Sequence, residues 1–168
     1  MNHPNITSAS NLRNFIFGVE DSLVSTVGLL SGIAIADIPT KTILLTGIVL
    51  IFVEAFSMAV GSFLSEHSAE EYLEKRAVSY VQPLMNGMIM FFSYFVSGFI
   101  PLMPYVFFGS QTALPVSIVA SLAALFLLGV IGAKISGVPA WRSGLRMCVI
   151  GGAAVLIGVV VGRFVQQF

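Results

Sequence analysis

Charged residues are scarce in this chain of 168 residues. It contains eight Lys and Arg and eight Asp and Glu, so only 10% of its residues are charged and the formal net charge is zero. Soluble domains are about a quarter charged, and a soluble fold of this composition could not cover its own core. The balance of charge also leaves no basic stripe, so nucleic acid is not an expected partner.

Cysteine is nearly absent as well. The single cysteine, Cys148, lies in an apolar run, and the chain has no second cysteine to form a disulfide with it. The sequence also lacks a CxxC pair, a GxxxxGK[ST] loop and an HExxH helix, and it shows no motif of a catalytic nucleophile–His pair. We therefore expect neither enzymatic activity nor a tightly bound cofactor.

Apolar sequence is abundant and makes up 57% of the chain. A membrane helix needs roughly 20 mainly apolar residues to cross the hydrocarbon core, and five stretches are long enough. They run from about Asn14 to Ala36, Thr42 to Leu64, Pro83 to Phe107, Ala113 to Ala133 and Gly144 to Phe164. We predict an all-α integral membrane protein in which residues 14–168 form one bundle of five transmembrane helices in contact with the lipid bilayer.

The segments outside these helices are short. Residues 1–13 are polar and are predicted to form a cytoplasmic N-terminal tail. Two adjacent acidic residues interrupt the first apolar stretch, which is also too long for a signal peptide, so we interpret it as a retained helix. The most polar internal segment, Ser65 to Tyr80, is predicted to extend the second helix before a turn.

The positions of the basic residues predict the orientation in the membrane. If the N-terminus is cytoplasmic, the outer side holds only Lys41 and Arg163. The cytoplasmic side then holds the other six, which are Arg13, Lys75, Arg76, Lys134, Arg142 and Arg146. This asymmetry favours a cytoplasmic N-terminus.

Acidic residues inside membrane helices are the main functional signal. Each costs about 2.5–3.5 kcal/mol near the bilayer centre, so it persists where it meets a cavity, a partner or an ion. Asp21 lies about two turns into the first helix, with Ser25 one turn further and Gly28 and Gly32 continuing the stripe. Two interpretations of Asp21 stay open: the wall of a cation path, or a cap or ion pair with a cytoplasmic arginine.

Glu54 lies deeper, near the middle of the second helix, with Met58 one turn further. Carboxylate oxygen suits harder metals and thioether sulfur softer ones, so the pair fits an intermediate ion such as ferrous iron. Glu54 is also a candidate proton carrier, and Met58 alone is consistent with plain packing. Ser57, Gly61 and Ser65 form a seam of small residues that predicts close helix packing.

Four glutamates follow at the end of the second helix. They are compatible with a solvated cytoplasmic turn, or with an electrostatic funnel that concentrates cations at a cytoplasmic entrance. The four are Glu66, Glu70, Glu71 and Glu74.

Several of these stretches resemble the vacuolar iron transporter family, which includes yeast and plant vacuolar iron and manganese carriers. The similar stretches are Phe17–Thr26, Ser57–Gly61, Gly98–Pro104 and Arg142–Met147, and the similarity covers all five helices in order. The resemblance implies a five-helix fold that works as a homodimer, with the ion path at the subunit interface. It also implies export of cytosolic ferrous iron or manganese in exchange for protons. Asp21 and Met58 match family positions associated with the path.

The chain departs from the family pattern in ways that resemble a short form. Plant and fungal members have a glutamate-rich cytoplasmic domain between helices two and three, for which Ser65 to Tyr80 is too short. Ser22 stands in place of a family glycine, and Ser62 in place of a common glutamate. Glu54 occupies a position where the family usually has a small residue.

The leading expectation is therefore a homodimeric exporter of Fe²⁺ or Mn²⁺ in exchange for protons, with Asp21, Glu54 and Met58 along the path. Two other functions stay open: a non-transporting membrane scaffold or accessory subunit that keeps the fold, and a proton-coupled transporter of an organic cation. The short loops favour a prokaryotic inner (cell) membrane, and the resemblance implies a vacuolar membrane if the source is eukaryotic.

Overall fold

A computed structural model describes residues 4–167, with side chains from residue 8 onward, and all regular structure in that part of the chain is helical. Five of its helices are long and apolar enough to cross a membrane. They are α1 (Pro4–Ile35), α2 (Thr40–Glu74), α3 (Val81–Leu102), α5 (Ser110–Ser136) and α6 (Ala140–Gln166), and a short helix, α4 (Pro104–Phe107), follows α3. The prediction of an all-α membrane protein with five spanning helices is confirmed.

The first helix begins earlier than the sequence predicted. Residues 4–13, expected to form a tail, are helical and prolong α1 beyond its apolar stretch. The reason is that polar side chains of this segment find partners on other helices, since Asn11 Oδ1 accepts a hydrogen bond from Gln82 Nε2 of α3 at 3.1 Å. Residues 1–3 of the expected tail lie outside the described residues.

The second helix continues through its polar segment to Glu74, as the sequence predicted. Lys75 caps this helix end. Its φ of 54° is left-handed, and its N–H bonds to the carbonyl of Glu71. Only residues 75–80 then connect α2 to α3. This connection is too short to fold as a separate domain.

The third spanning helix ends at Leu102, before the predicted end at Phe107. Pro104 has no N–H to continue the helical hydrogen bonds, so it opens α4 at its first position. Pro101 lies buried within α3, and Ser117 Oγ of α5 donates to its carbonyl at 2.6 Å. A proline pair and a side chain of α5 thus determine where the helix stops.

Consecutive long helices run in opposite directions, so α1, α3 and α6 are parallel to one another and antiparallel to α2 and α5. Helix α1 lies at the centre and contacts the other four. The alternation brings the starts of α1, α3 and α6 together with the ends of α2 and α5. We call this the basic end, because it collects Arg13, Lys75, Arg76, Lys134, Arg142 and Arg146.

Four glycines join α1 to α6. A Cβ at Gly158 would overlap the carbonyl oxygen of Gly28, and a Cβ at Gly162 would overlap that of Gly32. Two helix backbones approach this closely only where side chains are absent. The glycines that continue the Asp21 stripe on α1 are therefore its contact surface for α6.

Most of the outer surface is apolar. Within the chain, only 22% of an apolar 18-residue stretch of α2 and 17% of the corresponding stretch of α6 are buried. An exposed apolar surface of this extent would drive aggregation in water, whereas lipid chains cover it in a bilayer. The chain is accordingly an integral membrane protein.

Candidate functional site

Asp21 lies on α1 where this helix meets α2 and α3. The adjacent Ser22 is fully buried, and its hydroxyl donates to the carbonyl of Tyr94 on α3 at 2.7 Å, which fixes the rotation of α1 at this level. The Asp21 side chain is half-buried and has no hydrogen bond or ion pair with a residue in the described part of the chain. This carboxylate is therefore available to an ion or a proton.

Glu54 approaches the same place from α2. Its charge lies close enough to Asp21 for the two carboxylates to repel each other when both are ionised, and both act electrostatically on the hydroxyl of Tyr94. The next residue along α2, Ala55, is fully buried and holds the helix against the bundle at this depth. Three helices thus place two carboxylates and one phenol hydroxyl within electrostatic range of one another inside the membrane-spanning region.

Tyr94 is the member of this cluster that sequence reasoning missed. Its side chain is fully buried, and its hydroxyl oxygen lies 2.8 Å from Ser25 Oγ on α1. A tyrosine in an aromatic-rich helix is usually interpreted as core packing. The signal that could have revealed it is the group of hydroxyl residues around it on α3, formed with Ser93 and Ser97.

Met58 lies one turn beyond Glu54 and lines a cleft of about 630 Å³ between α1, α2 and α3. The cleft reaches from this level to the basic end, and its lining does not include Asp21 or Glu54. Residues with side chains in its wall include Asn14, Phe17, Ser57, Met58, Ser62 and Met90. The structure therefore places two thioethers and several neutral oxygen donors between the basic end and the carboxylate pair.

Asn14 is a second site residue that sequence reasoning missed. It is only 3% exposed, and its Oδ1 accepts a hydrogen bond from Ser62 Oγ of α2 at 3.2 Å. Its Nδ2 has no hydrogen-bond partner among the described residues, although buried amide groups are normally satisfied by protein or water. Because Ser62 replaces the expected glutamate, amide and hydroxyl groups line this part of the cleft.

The innermost glutamate of the predicted entrance, Glu66, belongs to a polar network between three helices. Its Oε1 accepts a hydrogen bond from Ser10 Oγ of α1 at 2.8 Å, and its Oε2 lies 3.6 Å from the guanidinium of Arg13. Ser10 Oγ in turn accepts from Asn86 Nδ2 of α3 at 3.1 Å. Glu66 is therefore half-buried and bonded to side chains of α1, whereas a glutamate in a solvated turn would contact only water.

The other three glutamates lie further out on α2. Glu71 lies 3.5 Å from His67 Nε2, and Glu74 lies 2.8 Å from the guanidinium of Arg76. Glu70 is half-buried and has no ion pair among the described residues. Together with Glu66 they make the end of α2 acidic.

The carboxylate cluster stays small within one chain. Across the described residues, no three His, Cys, Asp or Glu side chains are placed to hold a metal ion together. Asp21 and Glu54 supply two carboxylates from one protomer. An ion resting beside them would complete its coordination with neutral oxygens, water or groups from a second chain.

The seam of small residues on α2 is open. No atom in the described structure lies within 4 Å of the place that a Cβ on Gly61 would occupy, and Ser57 and Ser65 are exposed. The close packing that the sequence predicts along this seam is therefore not made within the chain. A second open surface flanks α1 on its other side, where an apolar groove of about 590 Å³ runs between α1 and α6.

Comparison with known proteins relates the whole bundle to one family. The model of the VIT family matches residues 12–79 and 70–163, and the two matched stretches overlap at the end of α2 and in the connection to α3. Vacuolar iron transporter homolog 2 of Arabidopsis thaliana is 27% identical over 81% of this chain and 74% of its own length. For homolog 3 of the same plant the identity is 28%, over 87% of this chain and 78% of its own length.

A third relative is longer within the aligned region. Vacuolar iron transporter 1 of Tulipa gesneriana is 22% identical over 96% of this chain and 90% of its own length. That alignment extends over 221 positions, whereas this chain has 168 residues. The tulip protein therefore contains segments that have no counterpart here.

Proposed function

Because the chain belongs to the VIT family, we propose that it transports a divalent metal ion, ferrous iron or manganese, out of the cytosol in exchange for protons. The observation that carries this proposal is that two carboxylates, Asp21 on α1 and Glu54 on α2, lie within electrostatic range of each other in membrane-spanning helices. The relatives from Arabidopsis and tulip are named after iron transport, which supports a metal ion as the substrate.

The repulsion between the two carboxylates supplies a mechanism for exchange. Two neighbouring anions in weakly polar surroundings are unfavourable together, because neither has enough water to screen its charge. A divalent cation compensates both charges, and a proton removes one of them. Metal entry therefore displaces a proton, and metal departure favours the return of one, so the two substrates occupy the site alternately.

The thioethers favour a metal of intermediate softness. Met58 and Met90 face the cleft that leads to the carboxylates. Sulfur is a poor ligand for calcium, magnesium and manganese, which prefer oxygen, whereas ferrous iron accepts mixed oxygen and sulfur surroundings. In this proposal Met58 contacts the ion on its way between the cleft and the carboxylate pair.

A homodimer would complete the site. One chain offers two carboxylates, and its α2 seam at Ser57, Gly61 and Ser65 is left uncovered by the described residues. Seams of this kind are common helix–helix interfaces in membranes. A second copy related by two-fold symmetry would cover this surface and present its own Asp21 and Glu54 across the interface.

The basic end is the proposed cytoplasmic side. Six of the eight basic residues lie there, and basic residues collect on the cytoplasmic side of membrane proteins. The cleft reaches this end, beside the acidic end of α2. Metal would enter from the cytosol past Glu66 and leave on the side of Lys41 and Arg163, through a prokaryotic cell membrane or a vacuolar membrane.

Transport by the purified protein tests this proposal. Proteoliposomes that enclose a metal-sensitive dye are exposed to ferrous iron or manganese, and uptake is followed for the parent and for Asp21→Asn. We expect the variant to abolish uptake while its elution volume and helical circular dichroism stay unchanged. Asp37→Asn is the matched control, because it makes the same chemical change at an exposed residue in the turn after α1.

Each outcome of this assay is informative. Full uptake by Asp21→Asn would contradict the role of this carboxylate. A folded parent that moves neither metal would overturn the transport proposal and favour an accessory subunit. Proton movement that depends on an organic cation, and on neither metal, would overturn the substrate assignment.

A further inference from the structure

A basic cleft lies where α5 gives way to α6, at the basic end and away from the carboxylate pair. Its volume is about 330 Å³, and it is lined by Val138, Pro139, Arg142, Ser143 and Arg146. The two arginines are four residues apart on α6, so they project from the same face of the helix. The proposed transport path uses none of these residues.

Neither arginine of the cleft has a partner. In the part of the chain that the structure describes, Arg142 and Arg146 make no ion pair, hydrogen bond or contact with an aromatic ring. Arg13 and Arg76 at the same end each pair with a glutamate. Unpartnered guanidinium groups on one helix face attract an anion, and guanidinium recognises phosphate through paired hydrogen bonds.

One lining residue of the cleft and three of its neighbours in sequence are exposed apolar side chains. These are Ile135, Val138, Trp141 and Leu145, with exposed fractions of 61%, 52%, 66% and 45%. Tryptophan is enriched where a membrane helix meets the headgroup layer, and the Trp141 ring is held there by an edge contact with Phe126 at 5.3 Å between centroids. A ligand at this place meets positive charge at its polar part and apolar surface beside it.

We infer that this cleft binds the phosphate headgroup of an anionic phospholipid, with Arg142 and Arg146 as the phosphate ligands and Ser143 as a neighbouring hydroxyl donor. A lipid fits better than free phosphate because its acyl chains would cover the apolar side chains around the cleft. Basic pockets between membrane helices on the cytoplasmic side bind anionic headgroups in this manner. The bound lipid would pin the α5–α6 corner to the membrane surface.

Trp141 provides the test, because it is the only tryptophan in the chain and lies next to Arg142. The full-length protein is reconstituted in phosphatidylcholine vesicles that contain increasing fractions of brominated phosphatidylglycerol, or of brominated phosphatidylcholine. Bromine quenches tryptophan fluorescence only at short range. We expect phosphatidylglycerol to quench at lower mole fractions, with a preference on the order of tenfold for a site with two basic groups.

Substitutions then test whether the two arginines cause the preference for phosphatidylglycerol. Arg142→Gln with Arg146→Gln should make the two lipids quench alike, whereas the control pair Lys75→Gln with Arg76→Gln should keep the preference of the parent. Helical circular dichroism and elution volume show whether each variant is folded. Equal quenching of the parent by the two lipids would overturn the inference without any variant.

Two further outcomes would also contradict it. The preference could survive in a folded Arg142→Gln, Arg146→Gln protein, which would place the lipid elsewhere. Soluble glycerol phosphate could abolish the preference at millimolar concentration, which would assign the cleft to free phosphate and not to a lipid. A preference that resists glycerol phosphate and disappears with the arginines supports the lipid site.

Discussion

The hydroxyl groups of Ser25 on α1 and Tyr94 on α3 lie 2.8 Å apart, one turn from Asp21. Tyr94 is fully buried, and both Asp21 and Glu54 act on its hydroxyl electrostatically. This hydrogen bond joins two helices beside two carboxylates whose charges repel each other. It therefore stabilises the contact between α1 and α3 next to the site, where the repulsion between Asp21 and Glu54 opposes close packing.

Removing the Tyr94 hydroxyl should weaken the bundle. Tyr94→Phe leaves Ser25 without this partner. We expect the free energy of unfolding in detergent to fall by about 1 kcal/mol, the usual contribution of such a hydrogen bond. Tyr72→Phe is the control, because Tyr72 is 72% exposed near the end of α2. Thermal denaturation of both variants measures the difference, and equal stability of the two would contradict a structural role for the bond.

A methyl group in the glycine contact between α1 and α6 should be poorly tolerated. A Cβ at Gly158 would overlap the Gly28 carbonyl, so Gly158→Ala forces the two backbones apart. We expect a loss of about 1–3 kcal/mol in the free energy of unfolding. No described atom lies within 4 Å of a Cβ at Gly152 on the same helix, so Gly152→Ala should be neutral or slightly stabilising. A Gly158→Ala protein as stable as the parent would show that the helices separate at little cost.

The open seam on α2 should be the surface that joins two copies. Gly61→Leu fills space that is free within one chain, so we expect a folded protein that no longer dimerises. Light scattering coupled to size exclusion in detergent gives the mass of each species, and Gly152→Leu controls for added bulk on another open helix surface. A Gly61→Leu protein with the parent's dimeric mass would place the interface elsewhere. A parent that is monomeric in lipid nanodiscs would rule out a dimer.

Met58 should distinguish iron from manganese. Met58→Leu keeps the volume of the side chain but removes its sulfur, so we expect the KM for ferrous iron to rise by roughly tenfold, equivalent to about 1.4 kcal/mol, with a smaller change for manganese. Met85→Leu is the control, since Met85 is 52% exposed on α3 and does not line this cleft. Equal effects of the two substitutions on iron transport would reduce Met58 to a packing residue.

The five spanning helices could be predicted from the sequence because each is an apolar run of sufficient length. Their ends could not, since these depend on partners in other helices. Asn11 lies in a polar segment that resembles a tail, but its bond with Gln82 makes that segment part of α1. Pro104 lies inside the predicted third helix, and only the structure shows that α3 ends before it and that the chain resumes a helical turn there.

The candidate site was only partly visible in the sequence. Asp21 and Glu54 stand out because a charge within a membrane helix is costly. Their approach to each other depends on how α1 and α2 are rotated, which contacts such as that of Ser22 with the Tyr94 carbonyl determine. The buried amide of Asn14 gave no comparable signal, because asparagine near a helix start is common at a membrane surface.

Metal-driven proton movement, compared between the parent and Glu54→Gln, is the decisive test of metal–proton exchange at the Asp21–Glu54 pair. Proteoliposomes that enclose a pH-sensitive dye are given ferrous iron or manganese under an imposed pH gradient. We expect metal to drive proton flux in the opposite direction in the parent, and folded Glu54→Gln to lose this flux while the control Glu74→Gln keeps it. Metal transport with no proton flux in the parent, or undiminished flux in Glu54→Gln, would contradict exchange at the Asp21–Glu54 pair.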